Sequence, residues 1–208
     1  ILAGAVPVYI KPGFQSKFGI SIGAAASEVE KALDDYPDAA GVIITRPNYY
    51  GICCDIRSIS GIVHRRGKVL VVDEAHGAHL RFGEGLPEAA MDGGADICVQ
   101  SAHKTLPAFT QGAYLHVKGN RVDKEKVGFY LRLLQTSSPS YIIMASLDIA
   151  REIMQTEGRK MLGRLQTNIE LLAVEIEAAQ KPVLLGTKDL KDRELDTSRL
   201  VISVKNIG

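Results

Sequence analysis

Three short apolar runs constrain this chain more than any other feature. They are Gly41–Thr45 (GVIIT), Val69–Val72 and the centre of Asp96–Gln100 (DICVQ). Within each, apolar residues follow one another without polar alternation, as in strands covered on both faces of a parallel sheet. Between the first two lies Asp55–Arg66, with Ile56, Ile59, Ile62 and Val63 at helical spacing, closed by Arg65-Arg66-Gly67. Basic residues and a glycine suit a helix C-terminus. Alternating strands and helices predict right-handed βαβ units and an α/β fold with a mainly parallel central sheet flanked by helices.

The remaining elements are read around this frame. Val6–Ile10 reads as a strand entered in mid-protein. Ala24–Leu33 reads as a helix, with Ser27 as N-cap and Glu30 completing a capping box. A short helix is expected around Pro87–Met91, and a further strand at Gly112–Val117. Helices follow over Asp123–Leu134, Tyr141–Thr156 and Gly158–Ala179, then a charged loop over Lys181–Arg193 and a last strand at Leu200–Val204. The expected division is a large domain over residues 1–155, then a linking helix and the start of a smaller α/β C-terminal domain over 156–208.

In open parallel sheets, ligands sit outside the carboxyl ends of the strands. Here those ends deliver Thr45-Arg46-Pro47-Asn48-Tyr49, Asp73-Glu74-Ala75-His76 and Ser101-Ala102-His103-Lys104. Asp73 precedes Lys104 by 31 positions, one βαβ step. A carboxylate and an amine so placed suit pyridoxal 5'-phosphate. The amine can form an imine with the cofactor, and the acid can keep the pyridine nitrogen protonated. Apolar neighbours suggest a buried Lys104, and so either a salt bridge or a covalent role for its amine. Ser101 could donate to the cofactor phosphate, and His103 could face the imine or the phosphate. His76 could pack over the ring or touch a substrate carboxylate. The bland alternatives are an Asp73 that caps a helix and a His76 that is hydrogen-bonded in the core.

Other chemistries fare worse. Asp73-Glu74-Ala75-His76 spells a helicase signature, but no GxxxxGK[ST] loop accompanies it. His76 and His79 lack a third ligand, so no metal site is expected. The formal net charge is +1 at pH 7, which gives no reason to expect nucleic acid as a partner. No run approaches the roughly 18 apolar residues of a membrane span, and ILAGAVPVYI lacks a basic leader and a cleavage site. Cys53, Cys54 and Cys98 are an odd count with no CxxC pair, expected to be packing residues in a reducing cytoplasm. Gln135–Tyr141 is hydroxyl-rich and opens a helix, suiting an N-cap or a phosphate contact.

The segments GVIITRPNYYG, VLVVDEAHGAHLRF, ADICVQSAHKTLPAFTQGAYLHV and LQTSSPSYIIMASLDIAR, in that order, resemble the major domain of the ornithine/lysine/arginine decarboxylases. These enzymes share the aspartate-aminotransferase-like fold of pyridoxal-phosphate enzymes. The resemblance implies Lys104 as covalent tether of the cofactor, Asp73 against the pyridinium nitrogen and Ala75 under the ring. It places Ser101 and His103 at the phosphate region and His76 near the substrate carboxylate. Ser137 and Ser138 match the family's Thr-Ser-Pro segment, which reaches the cofactor of the neighbouring subunit, implying a homodimer with a shared active site. The implied reaction is decarboxylation of lysine, ornithine or arginine, as in polyamine biosynthesis. An aminotransferase, an α-oxoamine synthase or a non-catalytic module of the same fold are the alternatives. The family's phosphate-cradling turn and ring-stacking histidine have no counterpart here, so the chain reads as a portion of a longer protein.

Overall fold

The computed structural model describes residues 4–179 and 182–205. In chain order its strands and helices are β1 (Phe14–Gln15), β2 (Ile20–Ser21), α1 (Ala26–Asp35), β3 (Gly41–Thr45), β4 (Ile52–Cys53), α2 (Ile56–Arg65), β5 (Val69–Asp73), β6 (Ile97–Ser101), α3 (Ala102–Thr105) and β7 (Ala113–Val117). They continue as α4 (Lys124–Leu134), α5 (Tyr141–Ala178), β8 (Val183–Leu184), β9 (Glu194–Leu195) and β10 (Ile202–Ser203). The central sheet has the order β3-β5-β6-β7. Its first three strands are parallel and β7 is antiparallel to β6. The molecule is therefore α/β with a mixed, mostly parallel sheet.

The expected apolar runs form the three parallel strands, but their burial alternates. Val42, Ile44, Leu70, Val72 and Cys98 face the core, with Val29 and Leu33 of α1 and Ile56, Ile59, Ile62 and Val63 of α2 packed in the same cluster. On the other face Ile43 is 76% exposed. Continuous hydrophobicity thus corresponds here to cover on one face only at the β3 edge. Asp55 caps α2 by accepting from the Ser58 N–H at 3.0 Å. Buried Asp96 accepts from the Leu70 N–H at 2.9 Å and meets His64 Nε2 at the same distance, which ties α2 to the sheet.

Several local expectations differ from the structure. Val6–Ile10 forms no strand; Val6 and Tyr9 are exposed, and a strand persists only where a neighbour accepts its ladder. The α1 N-cap is Ala25, not Ser27, and no side chain caps it. Pro87–Met91 forms no helix; it is irregular up to a turn that begins at Ala90. The two helices expected around Gly158 are the single helix α5, because Gly158 is a packing contact: an added Cβ would stand 3.2 Å from Phe82 Cβ. The expected division at residue 155 thus falls inside a continuous helix. Beyond it, β8 pairs with β10, and β9 pairs with β4 of the preceding region. The expected loop over Lys181–Arg193 includes β8, and Lys181 itself lies outside the described residues.

Candidate active site

Parallel pairing brings the three strand ends together. Thr45 is the partner of Asp73 between β3 and β5, and Asp73 is the partner of Val99 between β5 and β6. β6 ends at Ser101, and the single turn α3 then carries His103 and Lys104. Asp73 and Lys104 therefore stand at the same carboxyl edge, on neighbouring strands. Asp73 is exposed, and its Oδ1 accepts from the Ala75 N–H at 3.1 Å, which makes the turn out of β5. Lys104 is exposed, in contrast to the buried amine expected from its apolar neighbours. One helical turn after β6 is enough to bring it out to the lip of a cleft of about 650 Å³. Tyr49, Tyr50, Thr105, Ser198 and Arg199 line the same cleft.

His76 lies at the centre of this edge. Burial is the largest influence holding its pKa below the ordinary imidazole value; the Arg199 and Lys104 cations push the same way, and Asp73 opposes them. Arg199 touches the ring directly, and Asp73 and Lys104 stand at the same carboxyl edge. Tyr49 packs edge-on against it, with ring centroids 5.7 Å apart. Arg199 Nη2 donates to His76 Nδ1 at 2.9 Å. His103 is held the other way: its Nδ1 is 3.0 Å from the Gly112 carbonyl oxygen, which can only accept. The neutral His103 ring therefore keeps Nε2 as its acceptor.

The turn that carries His76 is anchored below by Glu74, which is fully buried. Its carboxylate accepts from Ala90 N–H at 2.7 Å, Gln100 Nε2 at 2.6 Å and Cys98 Sγ at 3.4 Å, with Arg46 Nη1 at 4.0 Å. Burial pushes the Glu74 pKa up, against these donors. Arg46, also fully buried, donates to the Cys54 and Glu88 carbonyls and to Glu194. Gly77 closes the turn at close range: a Cβ there would meet Glu74 Cγ at 2.6 Å and Pro47 Cδ at 2.7 Å.

A second histidine of this loop is engaged from afar. His79 Nε2 contacts Ser198 Oγ at 3.0 Å and Asp196 Oδ2 at 3.1 Å, and Ser198 Oγ donates to Asp196 Oδ1 at 2.6 Å. The serine and the carboxylate meet the same ring nitrogen, and the hydroxyl proton goes to the acid. This is not the relay that activates a serine nucleophile, in which the base takes that proton. It is a clasp between the loop after β5 and the segment after β9.

The structure thus brings Asp73, His76 and Lys104 into one electrostatic neighbourhood. Ala75 lies in the turn between Asp73 and His76, and Ser101 and His103 flank the start of α3. Ser137 and Ser138 are not brought to this chain's cleft: both are exposed on the loop between α4 and α5. Arg46 was expected at the strand end and His79 was considered beside His76; both are buried, as anchors of the loop. Gly77, Asp196, Ser198 and Arg199 were not expected at the site. The three cysteines are buried and unpaired. No helix among the described residues is long and apolar enough to cross a membrane.

Comparison with known proteins shows the family to which the chain belongs. The family model for the Orn/Lys/Arg decarboxylase major domain matches residues 1–185. An uncharacterized protein, YaaO of Bacillus subtilis, is 49% identical over 168 residues, covering 79% of this chain and 35% of YaaO. An arginine decarboxylase of Halalkalibacterium halodurans is 38% identical over the whole chain, which covers 43% of that protein. The chain thus spans less than half the length of these relatives. Among solved structures, the constitutive lysine decarboxylase of E. coli shares the fold with a TM-score of 0.74 at 21% identity, over 95% of this chain and 33% of that one. With its family model matched across most of its length, the chain belongs to the Orn/Lys/Arg decarboxylase family, through the major domain.

Proposed function

We propose that this chain is the pyridoxal-phosphate-binding part of a cytoplasmic decarboxylase that converts lysine, ornithine or arginine to the corresponding amine and carbon dioxide. The observation that carries the reading is the placement of Asp73 and Lys104 on adjacent strand ends, with His76 within electrostatic reach of both. The donor set suits the cofactor. There is one exposed primary amine, one carboxylate at a strand end, and a hydroxyl, Thr105 Oγ1, buried without a partner beside the amine. The proposal includes a large domain over residues 1–155, then a linking helix and the start of a smaller domain over 156–208, a division that falls inside α5.

Lys104 Nζ would tether the cofactor. Asp73, through the oxygen not engaged by Ala75, would hold the ring nitrogen protonated, and Ala75 would pack under the ring. Ser101 and His103 would hold the phosphate region. When bound, pyridoxal phosphate supplies an electron sink for the pair released as the α-carboxylate departs. His76 would orient that carboxylate. Lys104 Nζ would return a proton to the α-carbon; His103 would do so through Nε2 only after its ring has taken up a second proton there, because Nδ1–H is committed to the Gly112 carbonyl. Ser137 and Ser138 would act on the cofactor of a second subunit in a homodimer. Their exposure supports this, as does the outer face of α4, where Phe129, Tyr130, Leu133 and Leu134 are each more than half exposed.

Two measurements on the full-length protein test the proposal. Borohydride should fix the cofactor on Lys104; a label on another lysine overturns the site. Carbon dioxide should be released from one of the three basic amino acids; keto-acid formation without release would turn the reading toward an aminotransferase.

A further inference from the structure

Arg199 is far from His76 in sequence and beside it in space. Its Nη2 lies 2.9 Å from His76 Nδ1. A guanidinium has donors only and stays charged. His76 Nδ1 must therefore be the acceptor, and the ring's one N–H must be at Nε2.

The arginine is seated for this contact. Gly51, at φ +81, approaches it so closely that an added Cβ would stand 3.1 Å from Arg199 Cβ. The Asp196 N–H donates to the Gly51 carbonyl at 2.8 Å, and the Arg199 N–H donates to the Asp196 carbonyl at 3.1 Å. Arg199 Nη1 reaches toward the Tyr49 carbonyl at 3.5 Å. Arg199 also lines the cleft that Lys104 borders, and its Nε is buried without a partner. The groups that face His76 are Arg199 from the segment after β9, Lys104 from α3, Asp73 from the end of β5 and the Tyr49 ring.

We propose that Arg199 is a positioning residue that holds His76 as the neutral Nε2–H tautomer, so that His76 offers a hydrogen-bond donor, not a lone pair, to a carboxylate in the cleft. This rests on the decarboxylase reading for the identity of that carboxylate, the α-carboxylate of the amino acid. A lone pair at Nε2 would repel such a ligand. A protonated ring would grip it as an ion pair, and a carboxylate so held is stabilised against leaving. A neutral donor orients it with less such stabilisation.

Nitrogen-15 NMR of histidine-labelled protein without cofactor tests the tautomer directly. At pH 7, His76 should show Nε2 protonated and Nδ1 bare; a protonated Nδ1 in the wild type overturns the proposal. In Arg199→Met, His76 should become a mixture of tautomers, and its titration should move up toward the ordinary imidazole value. A spectrum unchanged from wild type also overturns it. If the variant proves unfolded by circular dichroism, the wild-type tautomer alone decides. In full-length protein, Arg199→Met should raise KM for the amino acid about tenfold, the loss of one hydrogen bond to a charged group, with a smaller change in kcat. A fall in kcat at unchanged KM counts against it. If borohydride fails to label Lys104, the decarboxylase reading falls, while the tautomer result on cofactor-free protein stands by itself.

Discussion

His79 and Asp196 are 117 positions apart in the chain, yet His79 Nε2 and Asp196 Oδ2 lie 3.1 Å apart with both side chains out of solvent. Burial by itself would raise the Asp196 pKa. The contacts with His79 and Ser198 outweigh it and hold the carboxyl below its ordinary value. A carboxyl depressed in the folded state adds stability above its unfolded pKa, and that stability is lost as pH falls through the lower folded value. Asp196→Asn should therefore cost about 2 kcal/mol at pH 7. The gap from wild type should close below about pH 4, the ordinary carboxylate range. Urea unfolding at the two pH values checks this.

Glu74 and Arg46 each follow the end of one of two neighbouring parallel strands, β5 and β3, and anchor the turn below the site. Replacing Glu74 by Leu leaves Arg46 with one fewer counter-charge and strands the donors of Gln100 and Ala90. We expect a loss of about 3 kcal/mol or more, as for other broken buried pairs. Denaturant unfolding measures it, and a loss below about 1 kcal/mol would show that the network is replaceable by packing alone.

Gly77→Ala should destabilise by about 2 kcal/mol, an overpacking cost. The new methyl would meet Glu74 Cγ and Pro47 Cδ within 2.7 Å and Leu80 Cδ1 at 3.0 Å. Because His76 is the preceding residue, its NMR signal should shift in the same variant. Thermal unfolding and the His76 resonance report the two effects separately.

Asp73→Asn should leave stability within about 0.5 kcal/mol, the usual range for an exposed position. The Oδ1 acceptor for Ala75 survives the change. Decarboxylation by the full-length protein should nonetheless fall steeply, because an amide does not hold a pyridinium proton. Activity preserved in this variant would remove Asp73 from the proposed site.

Leu133→Asp, on the outer face of α4, should shift the full-length protein from dimer to monomer in analytical ultracentrifugation. Activity should fall with dimer content. A dimer that persists would move the proposed subunit contact elsewhere.

Much of the fold was legible from sequence. The unbroken runs that form β3, β5 and β6, and the polar residues that follow them, place Asp73 and Lys104 at one edge. Local rules succeed there because a strand's ending and the next helix's spacing are written in neighbouring residues. They failed at Val6–Ile10, where a strand needs a partner, and at Gly158, where a glycine that reads as a breaker packs against Phe82. They also failed on Lys104, whose apolar neighbours suggested burial although the turn of α3 leads it out to solvent.

By itself the sequence determined the order of elements, the parallel frame and the amine and acid that the frame brings together. Only the tertiary structure decided how the histidines of the loop after β5 are held. Arg199, Ser198 and Asp196 follow β9, more than a hundred positions later, and carry no periodicity that links them to His76 and His79. Such contacts depend on where the returning chain crosses the sheet edge, and no local spacing encodes that crossing.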